Sequence, residues 1–176
     1  MVSGRGTNLQ ALIDAGLPIA AVASNRGQAP ALARAEAAGI VTAVFDAADF
    51  ESREQRDAAL ADWLQAHGVE LVVLAGYMHI LRAPFFEAYS GRIVNTHSAP
   101  LPAFPGAHPI EDVLAARVSE TAATIHWVDE GVDTGAVIRA ERVPVEVGDT
   151  PESLRARVQA VEHRLLPAVV RELIAP

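Results

Sequence analysis

Asn95, His97 and Asp133 are the residues of this chain best suited to moving a one-carbon group onto an amine. A primary amide can hold a developing oxyanion, an imidazole can carry a proton, and a carboxylate can orient the imidazole. Asn95 and His97 share parity along an extended chain, so both side chains can face one side. A proline-rich loop follows them, with Pro100, Pro102, Pro105 and Pro109 around Gly106, and such a loop can fix a site in place. Alone, Asn-x-His is a weak signal, since a single histidine is more often structural than catalytic. Asp133 sits in the acidic turn Asp129-Glu130-Gly131-Val132-Asp133-Thr134-Gly135, which without a ligand is simply a solvated loop.

A second chemical feature opens the chain. Gly4-Arg5-Gly6-Thr7-Asn8 runs directly into an apolar helix. Two glycines allow close backbone approach, and the free N–H groups of a helix start suit an anion such as phosphate. Thr7 and Asn8 add side-chain donors. The loop has no lysine and is not a Walker sequence; it lacks the third glycine and the acid of a dinucleotide fingerprint. A plain helix-capping turn is the competing reading. Together the two features imply a phosphorylated amine as one substrate.

These residues need elements to carry them, and strand-like and helix-like segments alternate. The pattern predicts helices over 8–15, 30–38, 51–67 and 110–117, and short apolar strands over 19–23, 41–45, 70–75 and 92–94. A strand pair over 122–128 and 136–145 flanks the acidic turn. Thr150-Pro151 caps a long last helix with a kink expected at Pro167. The order implies an α/β fold with a mainly parallel, Rossmann-like sheet and antiparallel strands in the C-terminal half. Ligands of such sheets bind beyond the carboxyl ends of strands. Gly4–Asn8, Gly76–Met78 and Asn95–His97 are all expected there. Only Met1, Val2 and Ser3 precede the glycine loop, a poor strand for its position.

Bulk properties narrow the function. The 176 residues suffice for one domain with a sizeable core. A net charge of -8 argues against nonspecific nucleic-acid binding. The absence of cysteine excludes disulfides, zinc–thiolate centres and thiol catalysis. No apolar run is long enough for a bilayer and no signal peptide opens the chain, so the expected place is the cytoplasm, away from membranes. All 14 basic residues are arginine, read as compositional bias. A metal site built from His97, His108, His126 and Asp133 lacks tight ligand spacing, and none is expected. His67 reads as an exposed helix residue. Gln159 and Glu162 share a face of the last helix, either toward ligand or toward solvent. Trp63 and Trp127 read as core or pocket wall.

The stretches SGRGTNLQALIDA, ASNR, LVVLAGYMHIL, GRIVNTH, LPAFPGAH, VDEGVDTG and RVQAVEH, in that order, resemble the phosphoribosylglycinamide formyltransferases over residues 2–170. The resemblance implies a three-layer formyltransferase fold and a single catalytic domain over 1–176. In it the N-terminal half takes the ribonucleotide phosphate and the C-terminal half the folate. It implies formyl transfer from 10-formyltetrahydrofolate, a co-substrate, to the amine of glycinamide ribonucleotide, without metal. It assigns catalysis to Asn95, His97 and Asp133. The ribonucleotide falls to Gly4, Arg5, Gly6, Thr7, Asn8, Gln159 and Glu162. The folate falls to Met78, His79, Ile80, Leu81, Val128, Asp129, Glu130, Gly131 and Val132. A monomer or homodimer is expected.

Three departures stand out. Ser98-Ala99 replaces the usual Pro-Ser, His79 replaces arginine, and Thr7 replaces serine. Formyltetrahydrofolate hydrolases, methionyl-tRNA formyltransferases and sugar-nucleotide formyltransferases share the Asn/His/Asp set but carry further domains. A non-catalytic folate- or nucleotide-binding relative is the alternative of a different class.

Overall fold

The computed structural model describes residues 1–175, which form two compact units, Met1–Val94 and Asn95 onward. In the first unit the order is α1 (Thr7–Asp14), β1 (Ala21–Ser24), α2 (Pro30–Ala37), β2 (Val41–Val44), α3 (Arg53–Ala66), β3 (Val72–Leu74) and α4 (Ala83–Tyr89), with a short 3₁₀ turn at Ala47–Asp49. β1 and β2 are parallel, Ala21 opposite Val41. The opening residues serve as a strand after all. Val2 bridges Ser24 in parallel and donates to Ala23 O. On the other side the Met1 ammonium donates to Val73 O, Ala75 N to Met1 O, and Ser3 N to Gly76 O. Three residues therefore join β1 to β3. Val2, Leu9, Val22, Ala31, Ala35 and Ala75 pack together beneath this join.

Most predicted boundaries lie within two or three residues of the observed ones. Helix α3 begins where Ser52 caps it by accepting from Gln55 N. Its buried face includes a fully buried pair, Arg56 and Asp57, which the periodicity did not reveal. His67, expected to be exposed, is half-buried; its Nδ1 lies 2.7 Å from Trp63 O and its ring packs on Trp63.

In the second unit β4 (Ile93–His97, beginning in the first unit) is followed by α5 (Pro109–Ala116), β5 (Glu120–Trp127), β6 (Val137–Pro144) and α6 (Pro151–Leu173). β4, β5 and β6 lie in that order, and β5 pairs with β6 antiparallel. Asn95 and His97 are thus the closing residues of a strand and not the loop after it. α6 starts with a capping box, Thr150 and Ser153 each bonding the other's backbone N–H, and continues through the buried Pro167. Its inner face buries Leu154, Val158, Val161, Leu165 and Leu166. Among the described residues, no helix is long and apolar enough to cross a membrane.

Candidate active site

β4 delivers Asn95 and His97 with the parity expected of a strand. His97 is buried and Asn95 half-buried. His97 Nε2 lies 2.6 Å from Phe104 O, and Nδ1 lies 3.5 Å from Asp133 Oδ2. A carbonyl only accepts, so Nε2 carries a hydrogen. Nδ1 faces the Asp133 carboxylate.

Asp133 is brought to this point by a strained turn. Its φ is 54°, unusual for a residue with a side chain. Around it the turn is tightly folded. Asp129 Oδ1 accepts from Gly131 N and from Thr134 Oγ1 at 2.6 Å. A Cβ on Gly135 would meet Trp127 O at 1.8 Å, so only glycine fits there. The Asp133 carboxylate is then pinned by Gly106 N, which donates to Oδ2 at 2.8 Å. Gly106 has φ 103° and belongs to the proline-rich loop. That loop is held in turn by Phe104 N and Ala103 N on Pro100 O, and by Thr124 Oγ1 donating to Ala99 O.

His126 completes the group, a residue that spacing alone offered only as a metal ligand. It is buried on β5 at a register shift: Ile125 faces Arg139 while His126 faces Val137. Such an irregularity re-aims a side chain. His126 Nδ1 lies 2.8 Å from Trp127 O and must donate, leaving Nε2 as an acceptor in the neutral ring. Burial holds the His126 pKa below its ordinary value, against smaller opposing effects of Trp127 O and Asp133. Nε2 lies 3.2 Å from Asn95 Nδ2 and 3.6 Å from Asp133 Oδ1. The amide nitrogen therefore gives one hydrogen to His126 and carries a second. In this unit an amide, two imidazoles and one carboxylate converge on one point. That set can polarise a carbonyl oxygen and relay a proton. Among the described residues, no group of three or more His, Asp or Glu side chains is arranged to hold a metal. His108 is exposed, at the start of α5.

Gln159 is half-buried, whereas Glu162 is 3% exposed, so the solvated-face reading of Glu162 is corrected. Ser98 Oγ donates to Glu162 Oε1 at 2.6 Å. Val128 is half-buried, and Glu130, Gly131 and Val132 are exposed, with Asp129 engaged in closing the turn.

In the first unit the glycine loop leads into α1 with Gly6 at φ 71°. A Cβ on Gly6 would meet Ala31 Cβ at 2.5 Å, so α1 and α2 approach only because this residue is glycine. Gly4 and Arg5 are exposed, Thr7 half-buried and Asn8 buried. Arg34 Nε donates to Arg5 O and Ala31 N to Gly4 O, fixing the loop backbone.

The loop after β3 exposes Met78 and Ile80 and buries Leu81. Two backbone bonds tie it down: Met78 N donates to Ser3 Oγ and Arg82 N to Asp57 Oδ2. Between them, Arg56 Nη1 lies 2.6 Å from His79 Nδ1, with Arg56 also paired to Asp57. Guanidinium only donates, so His79 Nδ1 accepts and the ring is neutral. Burial lowers the His79 pKa, and Arg56, Arg26 and Arg53 lower it further. The departure at His79 thus comes with a cation, Arg56, supplied from α3.

The formyl transferase family model matches residues 1–170. The trifunctional purine biosynthetic protein adenosine-3 of Gallus gallus is 44% identical over 97% of this chain, which spans only 18% of that relative. The phosphoribosylglycinamide formyltransferase of Escherichia coli strain K12 is 39% identical over 97% of this chain and 83% of its own length. The crystal structure of phosphoribosylglycinamide formyltransferase from Streptococcus pneumoniae TIGR4 has a TM-score of 0.95 at 45% identity, covering 99% of this chain and 96% of that one.

Proposed function

The chain belongs to the formyl transferase family, and from that premise we propose that it moves the formyl group of 10-formyltetrahydrofolate onto the amine of glycinamide ribonucleotide, a step of purine biosynthesis. The observation that carries the reading is the convergence of Asn95, His97, His126 and Asp133, with the amide nitrogen on His126 and the His97 ring beside the Asp133 carboxylate.

The amine nitrogen attacks the formyl carbon and a tetrahedral adduct forms. Its oxyanion takes the second hydrogen of Asn95 Nδ2 and a proton-bearing nitrogen of His97. Contact from His97 Nε2 requires that nitrogen to leave Phe104 O, its present partner. The attacking nitrogen loses a proton to Asp133, directly or through water. That proton is returned to the folate nitrogen as the carbon–nitrogen bond to the folate breaks and the carbonyl re-forms. Asp133 is positioned for this by Gly106 N on Oδ2, with the His97 and His126 rings beside its two oxygens.

Gly4, Arg5, Gly6, Thr7 and Asn8 are assigned to the phosphate, and Gln159 and Glu162 to the rest of the ribonucleotide. Met78, His79, Ile80, Leu81 and Val128 to Val132 are assigned to the folate. One catalytic domain, a monomeric or homodimeric state and a cytoplasmic setting complete the reading.

The test mixes protein, glycinamide ribonucleotide and a 10-formyl folate and follows the deformylated folate optically. Turnover that depends on the ribonucleotide supports the assignment. Equal turnover without it would identify a hydrolase, and binding of both ligands without turnover a non-catalytic relative.

A further inference from the structure

We propose that Ser98 is a positioning residue that tunes this chain for its phosphorylated acceptor by holding the carboxylate of Glu162. The inference rests on the assignment of Glu162 to the ribonucleotide and deepens it. Ser98 stands where the formyltransferases resembled by this chain usually carry proline, a residue with no side-chain donor. Here the position follows His97 directly, at the end of β4, and its hydroxyl donates to Glu162 Oε1 at 2.6 Å. That length is typical of a hydroxyl on an ionised carboxylate, the stronger kind of hydrogen bond.

The geometry gives the bond a directional task. Glu162 lies on the inner face of α6 and is 3% exposed. A glutamate has three side-chain torsions, and freezing them on binding costs affinity. A carboxylate held by this hydroxyl has less torsional freedom left to lose when a ligand binds. Vicinal hydroxyls of a ribose need such a fixed acceptor. Because Ser98 adjoins His97 in sequence, the same hydroxyl also fixes the distance between the acceptor-binding carboxylate and the reacting end of β4. Binding of the acceptor, rather than the chemical step, is the quantity the bond controls.

Steady-state kinetics of the whole protein test this, with Ser98→Ala, Glu162→Ala and the double variant. Loss of a charge-assisted bond predicts a roughly tenfold rise in KM for glycinamide ribonucleotide in Ser98→Ala. kcat and the KM for the formyl folate should stay within about twofold, a split that general destabilisation does not produce. In the Glu162→Ala background, Ser98→Ala should add almost nothing, since its partner is gone. Thermal shift by the ribonucleotide alone gives a second readout, and Ser98→Ala should shrink it. An unchanged KM for the ribonucleotide, an equal fall in kcat, or a full additional loss in the double variant would overturn the role of Ser98. These failures are distinct from failure of the functional reading, in which the unsubstituted protein itself shows no ribonucleotide-dependent turnover.

Discussion

Asp133 faces two imidazoles in different surroundings. His97 meets acceptors at both ring nitrogens, whereas His126 is locked as a neutral tautomer by Trp127 O. The first is suited to carry a proton and the second to orient an amide. Removing the proton carrier or its carboxylate should strike the chemical step: His97→Ala and Asp133→Asn are expected to lower kcat by roughly 10²–10³ or more while far-ultraviolet circular dichroism stays native. Near-normal turnover in either variant would refute the mechanism. His126→Phe removes the acceptor of Asn95 Nδ2 without touching the reacting atoms. It should lower kcat roughly fivefold to tenfold, the worth of one ordinary hydrogen bond, with both KM values little changed. A loss confined to KM would show that His126 acts elsewhere. At this scale the convergence of Asn95, His97 and Asp133 was legible from residue type and order. The place of His126 beside them was not, because it depends on a register shift between β5 and β6 that no local pattern announces. The burial of Glu162 was equally hidden, since an acidic residue on a helix defaults to solvent.

The elements with strong periodicity were read correctly, and the misses have physical causes. α4 (Ala83–Tyr89) is seven residues long, too short to display a helical repeat before Gly91 ends the segment. The opening strand was discounted for its length, but it needs only one bridge because β1 and β3 supply partners on both sides. The loop after β3 is the clearest case of an element whose stability comes from another. It is tied to α3 through Arg56 and Asp57, and to the opening strand through Ser3. At His79, the arginine more usual in related enzymes should therefore harm this chain. His79→Arg brings a second guanidinium against Arg56 and removes the acceptor from a buried donor, a cost of about 2 kcal/mol. For a chain of this size that lowers Tm by roughly 4–8 °C. Replacing Arg56 as well, in Arg56→Gln/His79→Arg, leaves one cation for Asp57 and should recover most of the loss. Differential scanning fluorimetry decides it, and a single variant as stable as the parent would show that the Arg56–His79 bond contributes nothing.

For the molecule as a whole, the buried titratable groups push in one direction between pH 5 and 8. The Met1 ammonium, partly buried against Val73 O, is pushed down to about 5 by desolvation, and burial also lowers His79 and His126. Each is a base whose folded pKa is depressed, so its contribution is complete above its unfolded value and is lost as pH falls through the folded one. On the alkaline side, burial raises Tyr77 to about 12 and raises Tyr89 too; these favour folding below pH 10 and lose their effect above it. The net charge opposes the acid limb. At pH 7 the chain carries -8, and approach to its pI near 5.2 relieves that self-repulsion. The surface charges responsible are screened over about 8 Å at 0.15 M salt, while the buried groups are shielded far less. The buried groups should win. Tm is expected to rise from pH 5 to 8, stay level to about pH 10 and then fall. Acetylating the Met1 nitrogen, or extending the chain ahead of it, should flatten the acid limb by removing that charge. A maximum near pH 6 at 0.15 M salt would mean that surface repulsion, not buried desolvation, sets the stability of this fold.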